Sequence, residues 1–365
     1  MESDYLTDSE KELLTALGKY PDTPIEELLT HISYKWTSTV VKKINYFRKQ
    51  SLLWGPLYDV NYDKLCKNPL HKLFCILEIT EDYRELFPYL ELIEPYAWLF
   101  PVLSPHREFL IMCYYSTNDK ETKALLQLLK DNGLITDYTV RTFCTKRIIE
   151  NPNFFGGPTP SLDQLLSPCE VADMSLGHHD TDWNECDIRM LPYLVWGHGG
   201  EKLIGLLRKE KEYHRSWTYS QINYSREKMI RNGLIEKTYY ILPFQLHHCT
   251  YFFLSLRTED EDLTLRALYN FARGERIYKE YVLCEEEGLV FCVSHSSFLT
   301  ELMSKLDQIR EVTGKELYLL RSIWKSSPVA RPPNLEYFDT ETQKLEYPYK
   351  VYRERIKERI ESEVG

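Results

Sequence analysis

Two long stretches of this chain run through the same order of elements, at a spacing of roughly 180 residues, and such a repeat constrains the architecture before any motif does. In the first stretch, Ser9 and Glu12 stand as in a capping box, ahead of Leu13, Leu14 and Leu17 at helical spacing. Pro21 and Pro24 end that run. Ile25, Leu28, Leu29 and Ile32 then mark a second helix with Pro24 in its first turn. Val40, Ile44 and Phe47 mark a third, followed by Leu52, Leu53 and, past Gly55-Pro56, the alternating LYDVNY. Three short helices closed by a wing describe a winged helix-turn-helix over 1–64.

Residues 65–150 read as strand, helix, two strands, helix, strand. LFCILEI is the first strand, and the first helix has Thr80 as its cap and Pro88 as a kink. The second helix runs from an Asn118 cap to Gly133 at its C′ position. This is the βαββαβ order of a ferredoxin-like unit. Residues 151–183, rich in Pro, Gly, Asn and Ser, carry no period and read as a linker. The order then restarts. A second winged unit over 184–246 has Asp187, Leu191 and Leu194, then Leu203, Ile204, Leu206 and Leu207, then Ile222, Met229, Leu234 and Ile235 on its three helices. A second βαββαβ unit spans 247–326, and 327–365 is an extended tail ending in a charged helix. The expected class is α+β: two winged helix-turn-helix domains and two ferredoxin-like domains, paired within one chain as an intramolecular pseudo-dimer. Few residues are identical between the copies, so the repeat rests on order and length.

A formal charge of −10 excludes a uniformly basic nucleic-acid coat, but the charge is uneven. Between Ser33 and Gln50 the chain carries Lys35, Lys42, Lys43, Arg48 and Lys49 and no acid. A recognition helix needs such cations for phosphates and short polar residues near its N-terminus for base edges; Thr37, Ser38 and Thr39 stand there. In the second copy the corresponding set is Arg215, Ser216, Thr218, Tyr219, Ser220, Asn223, Arg226, Lys228 and Arg231, with Lys237 on the wing. Trp36 and Trp217, at the starts of these helices, read as packing residues. Nine cysteines without CxxC spacing favour reduced thiols. The acidic MESDYLTDSE start argues against a secretory signal, and no apolar run approaches the ~18–20 residues of a membrane span, so a cytoplasmic protein is expected.

On these residues the chain resembles the Lrp/AsnC (feast/famine) regulators. Their recognition-helix pattern is matched by Thr39-Val40, Lys43-Ile44, Phe47 and Ser51-Leu52-Leu53, with Ser51 in place of a glycine and Trp36 in place of the capping serine. The second copy matches through Thr218 and Gly233-Leu234-Ile235, while Arg226 falls at a position normally apolar. The resemblance implies a winged helix-turn-helix joined to a ligand-sensing, dimerising βαββαβ domain. It further implies double-stranded DNA as partner, with a small-molecule effector and a homodimer as further associations; separately, the acidic sheet units or the tail could dock a transcription factor or polymerase. The turns SPHREF and CEEEGL keep neither form of the family's Gly-x-x-Asp effector motif, which puts an amino-acid effector in doubt.

No GxGxxG, Walker loop, GxSxG or HExxH is present. Cys169, His178, His179 and Cys186 match no zinc-finger spacing. The rival on this scaffold is a fold similar to the siroheme decarboxylases, for which His106, Arg107, Arg141, Arg147 and His295 would be the anion-binding residues. The expectation carried forward is an archaeal, cytoplasmic DNA-binding transcription regulator, with no catalytic activity, cofactor, metal or membrane partner, reading an asymmetric site through two non-identical helices.

Overall fold

The computed structural model describes residues 6–80, 82–196, 205, 208, 217–285, 287–321 and 331–364. The first winged unit comprises α1 (Asp8–Lys19), α2 (Ile25–Leu28), α3 (Thr37–Lys49) and β1 (Leu53–Val60). The capping box lies earlier than Ser9 and Glu12: Thr7 caps α1 reciprocally with Glu10, and Glu12 instead accepts from the Ser33 N–H at 2.8 Å. Val40, Ile44 and Phe47 are the buried residues of α3, as their spacing requires. The helix closes in a Schellman motif, in which the Leu52 N–H donates to the Phe47 carbonyl at 3.0 Å and the Ser51 N–H to Arg48 at 3.1 Å. Ser51 therefore adopts a left-handed φ of 52°.

Next come β2 (His71–Ile79), α4 (Tyr83–Leu90), β3 (Tyr96–Pro101), β4 (Glu108–Ser116), α5 (Asp119–Asp131) and β5 (Asp137–Thr142). The sheet order β3-β4-β2-β5, antiparallel throughout, is the ferredoxin-like one. Asp82, rather than Thr80, caps α4. The short β6 (Ile148–Glu150) then leaves the first sheet for the second.

The second winged unit has α6 (Glu185–Trp196), α7 (Tyr219–Arg231) and β7 (Ile235–Ile241). Of its expected middle helix, the apolar Leu203, Ile204, Leu206 and Leu207 lie outside the described residues. After α7 the same motif recurs with Gly233 at φ 67° in the place of Ser51. β8 (Cys249–Thr258), α8 (Glu261–Asn270), β9 (Tyr278–Cys284), β10 (Glu287–His295), α9 (Ser296–Asp307) and β11 (Val312–Leu319) complete the second sheet, ordered β11-β8-β10-β9 with β6 on its outer edge.

The halves are joined in three ways. The wings pair with each other, Leu53 opposite Ile241 and Val60 opposite Ile235, while α1 packs on β7 and α6 on β1. The sheet margins meet at Val102–Leu320 and Phe143–Cys284, where the Cys144 N–H donates to Leu283 at 2.8 Å. Between the sheets lies an aromatic core. Trp98 stacks on Phe253 at 5.3 Å between centroids, Phe253 meets Phe291 at 5.1 Å, and Tyr278 meets the wing residue Tyr240 at 4.5 Å. Alternation sends Phe74 and Ile76 into this core and Leu73, Cys75 and Leu77 towards α4 and α5. Strands covered on both faces read as unbroken apolar runs.

Residues 151–183 are irregular but anchored. Leu162, Leu165 and Met174 are buried in the cluster that holds the helices of the second sheet, and Asn270 donates to the carbonyls of Leu165 and Ser167. The first sheet's helices are covered by the tail, where β12 (Phe338–Asp339) and β13 (Lys344–Leu345) lead into α10 (Tyr349–Val364). The Tyr349 hydroxyl accepts from the backbone N–H groups of Thr117 (2.9 Å) and Asn118 (3.2 Å) at the start of α5, and Arg353 pairs with Glu121 at 2.7 Å. No helix among the described residues is long and apolar enough to cross a membrane.

A serine in the left-handed region is strained where glycine is not. Ser51→Gly is expected to raise stability by about 0.5–1 kcal/mol, seen as a higher urea midpoint at unchanged slope.

Candidate nucleic-acid interface

In each winged unit a buried acid on the first helix takes a donor from the third helix. Glu10, 6% exposed, accepts from Lys43 at 2.7 Å. Asp187, 1% exposed, accepts from Ser225 at 2.6 Å and from Lys228 at 2.6 Å. Burial pushes the Glu10 carboxyl up, but the Lys43 ammonium and the N–H and hydroxyl of Thr7 outweigh it and hold it below its ordinary value. Lys228 also donates to the Asp182 carbonyl at 2.8 Å and lies 5.0 Å from the centroid of the buried Trp183 ring. Lys43 and Lys228 thus serve as internal locks.

Arg48 is also engaged within the protein. Its Nε and Nη2 donate to the Gly55 carbonyl at 3.1 and 2.6 Å, tying the end of α3 to β1. Outward, α3 presents Ser38, Val41, Lys42, Asn45, Tyr46 and Lys49, with Lys35 just ahead of its cap, all exposed, and Thr37 and Thr39 half-buried at its start. On a 100° step per residue, Ser38, Lys42, Asn45 and Lys49 lie opposite the buried Val40, Ile44 and Phe47. Lys35, Lys42 and Lys49 have no carboxylate partner among the described residues.

The second helix offers less charge. Thr218 caps α7 in a capping box with Gln221, and Tyr219, Ser220, Tyr224 and Arg231 are exposed. Arg226 pairs with Glu227 at 2.6 Å and donates to Asn223 at 3.1 Å. Arg215 and Ser216 lie outside the described residues. Lys237 stands half-buried on β7, opposite Tyr58 in the wing ribbon. Both wings are consumed by pairing with each other, so neither is a free arm.

Trp217 is half-buried, while Trp36 is 72% exposed and packs on nothing that would hide it. The expectation of a packing role fails for Trp36. Its exposure could have been suspected from the missing capping serine, since an indole at the N-cap satisfies no backbone N–H.

The five residues weighed for anion binding do not converge. Arg147 bridges Asp59 and Glu280, Arg141 pairs with Glu287 and Glu316, and Arg107 pairs with Glu78 at 3.1 Å. His295 caps α9, accepting from the Ser297 N–H at 3.2 Å, and His106 is exposed. Beside Arg147, Lys72 lies over the ring of Tyr62 at 4.7 Å, and the Tyr62 and Tyr115 hydroxyls are 3.1 Å apart. Among the described residues no three His, Cys, Asp or Glu side chains are grouped to hold a metal ion.

No family model matches the sequence, and no curated protein matches it. Solved structures do resemble it. They are of the AsnC-like class, a winged helix joined to a ferredoxin-like unit. The siroheme decarboxylase NirDL covers 97% of this chain and 100% of its own, with a TM-score of 0.49 at 10% identity. AsnC of E. coli covers 38% of this chain and 92% of its own, with a TM-score of 0.30 at 14% identity. The leucine response regulator LrpA of Mycobacterium tuberculosis covers 38% and 91%, with a TM-score of 0.28 at 15% identity. At these values the likeness is one of architecture. One expectation is corrected by it: the structure matched end to end is that of an enzyme, so the inference from this fold to a chain without catalytic activity does not stand.

Removing one partner of a buried ion pair strands the other, so Asp187→Ala is expected to cost about 3 kcal/mol in urea unfolding. Lys42→Ala, on the outward face of α3, is expected to stay within about 0.5 kcal/mol of the parent. The Glu10 carboxyl is held below its ordinary value in the folded protein. Its pairing therefore stabilises fully above that ordinary value and is lost as pH falls through the lower folded one. Lys43→Met is expected to flatten that acid limb of the stability profile.

Proposed function

We propose that this chain binds DNA through its third helices and acts as a regulator of transcription, with α3 supplying the phosphate contacts. The observation that supports this reading most directly is the outward face of α3. Lys42 and Lys49 on that face, and Lys35 just ahead of the helix, are exposed without carboxylate partners among the described residues, although the chain as a whole carries a charge of −10. In an acidic protein, two such lysines on the face opposite a helix's buried stripe, with a third at its lead-in, form a local anion-attracting surface. The neighbouring Ser38 and Asn45 are short enough to approach a nucleic-acid surface with the lysines. The pseudo-dimer holds α3 and α7 on one rigid frame, and their outward residues differ, as an asymmetric site would require.

Each lysine that neutralises a phosphate releases a counterion, so the salt dependence counts contacts. The test is fluorescence anisotropy on labelled DNA from upstream of the protein's own gene, across a salt series. The triple variant K35Q/K42Q/K49Q is expected to bind more weakly and to lower the slope of log K against log salt by about 2–3. An unchanged slope in a folded variant would rule out this face as the phosphate-binding surface.

A further inference from the structure

Ten large apolar side chains are conspicuously exposed among the described residues, and six of them lie on α3, on α7 or at the α3 cap. They are Trp36 (72%), Val41 (41%), Tyr46 (48%), Tyr219 (52%), Tyr224 (61%) and Ile230 (38%). Together the two helices span only 26 residues, thirteen each. On α3 and at its cap, Trp36, Val41 and Tyr46 stand exposed within eleven residues, a density that suits a contact surface.

The first helix gives up local stability to keep its indole. Trp36 occupies the N-cap of α3 and makes no side-chain capping bond, whereas Thr218 at the same place on α7 caps through both its N–H and hydroxyl to Gln221 and accepts from the Gln221 N–H. A capping side chain contributes about 1 kcal/mol, and leaving an indole in water forgoes its burial as well.

Several of the longer side chains suited to reading the edges of paired bases are meanwhile engaged. Arg48 is held by the Gly55 carbonyl, Asn45 accepts from Arg48 at 3.3 Å, Asn223 accepts from Arg226, and Gln221 is closed in its capping box. Beside the short Thr37, Ser38 and Thr39, what α3 and its lead-in present unpaired among the described residues is aromatic rings and lysines. In a duplex the base faces are covered by their neighbours, so rings find only edges to touch. Unpaired bases offer their faces, and rings interleaved with cations are the means by which proteins hold single strands.

We propose that the α3 face, led by Trp36, binds single-stranded nucleic acid in preference to duplex, its rings stacking on unpaired bases while Lys35, Lys42 and Lys49 follow the backbone. This rests on the reading of α3 as a nucleic-acid-binding face and names the form of nucleic acid it takes.

The test is anisotropy of the full chain on three labelled probes of one mixed sequence of about 30 nucleotides, long enough for several stacking sites: single-stranded DNA, its duplex, and the matching RNA. The parent is expected to bind a single strand more tightly than the duplex, and comparing DNA with RNA identifies which. Trp36→Ala is expected to weaken single-strand binding by about 5- to 100-fold with the salt slope unchanged, while Trp36→Phe retains most of the affinity. Because the indole is exposed, urea unfolding should confirm that both variants keep the fold. Tighter binding to duplex, or a Trp36→Ala variant equal to the parent on the single strands, would overturn the preference and leave the phosphate-binding face standing. No binding to any probe at low salt would overturn that face, and the stacking with it.

Discussion

The pairing of β1 with β7 is the constraint on which the rest of the molecule depends. A two-stranded ribbon is marginal in water by itself. Here it is covered from both halves, because α1 packs on β7 and α6 on β1. Neither winged unit is complete without the other's strand, and the aromatic contacts of Tyr240 with Trp54 and Tyr278 carry the ribbon into the core between the sheets. The positions of α3 and α7 are fixed by one interaction. In a protein whose halves were separate chains, that interaction would depend on concentration; within one chain it does not.

Closing the pseudo-dimer leaves two exposed problems, and the non-repeating segments resolve them. The helices on each sheet need a cover on their outer side. Residues 151–183 supply it for the second unit through Leu162, Leu165 and Met174. The tail supplies it for the first through Tyr349, Tyr352 and Ile356. Where β6 joins β9, Lys279 is buried at 1% exposure and donates to the carbonyls of Leu268, Tyr269 and Phe271 at the end of α8, with Glu150 of β6 as its counter-charge. A buried ammonium so fully bonded secures a helix end that a strand crossing alone would not.

The order of elements was legible in the sequence because it rests on periodicity. Val40, Ile44 and Phe47, or Asn118 and Gly133, act through local geometry that neighbours in sequence define. The wing pairing, β6 and the packed linker were not legible, since each depends on partners more than a hundred residues away. The candidate site shows the same division within a single helix. Lys42 and Lys43 are equivalent when charges are counted, yet the 100° step between them sends one to solvent and the other to Glu10. Lys228 likewise stands in a basic run, yet Asp187, forty-one positions earlier, holds it. Charge runs reveal that a helix is basic but not which charges the fold has already used.

Subtracting those used charges makes the two halves unlike in a directed way. At matching helix positions, Lys42 faces Tyr224, Asn45 faces Glu227, and the Trp36 cap faces Thr218. A pair of separate identical chains must carry each substitution on both recognition helices at once. In this chain the shared ribbon holds both helices whatever their surfaces carry, so α3 could take an exposed indole in place of a side-chain cap and gain unpaired lysines, while α7 kept its cap and a different outward face with Tyr219, Tyr224 and Arg231 exposed. On the proposed reading α3 is then the helix that grips, and α7 a weaker companion set at a fixed distance by β1 and β7. The same independence explains why so few residues are shared between halves whose backbones agree: the buried positions that build the ribbon and the locks are constrained, and the outward ones are not.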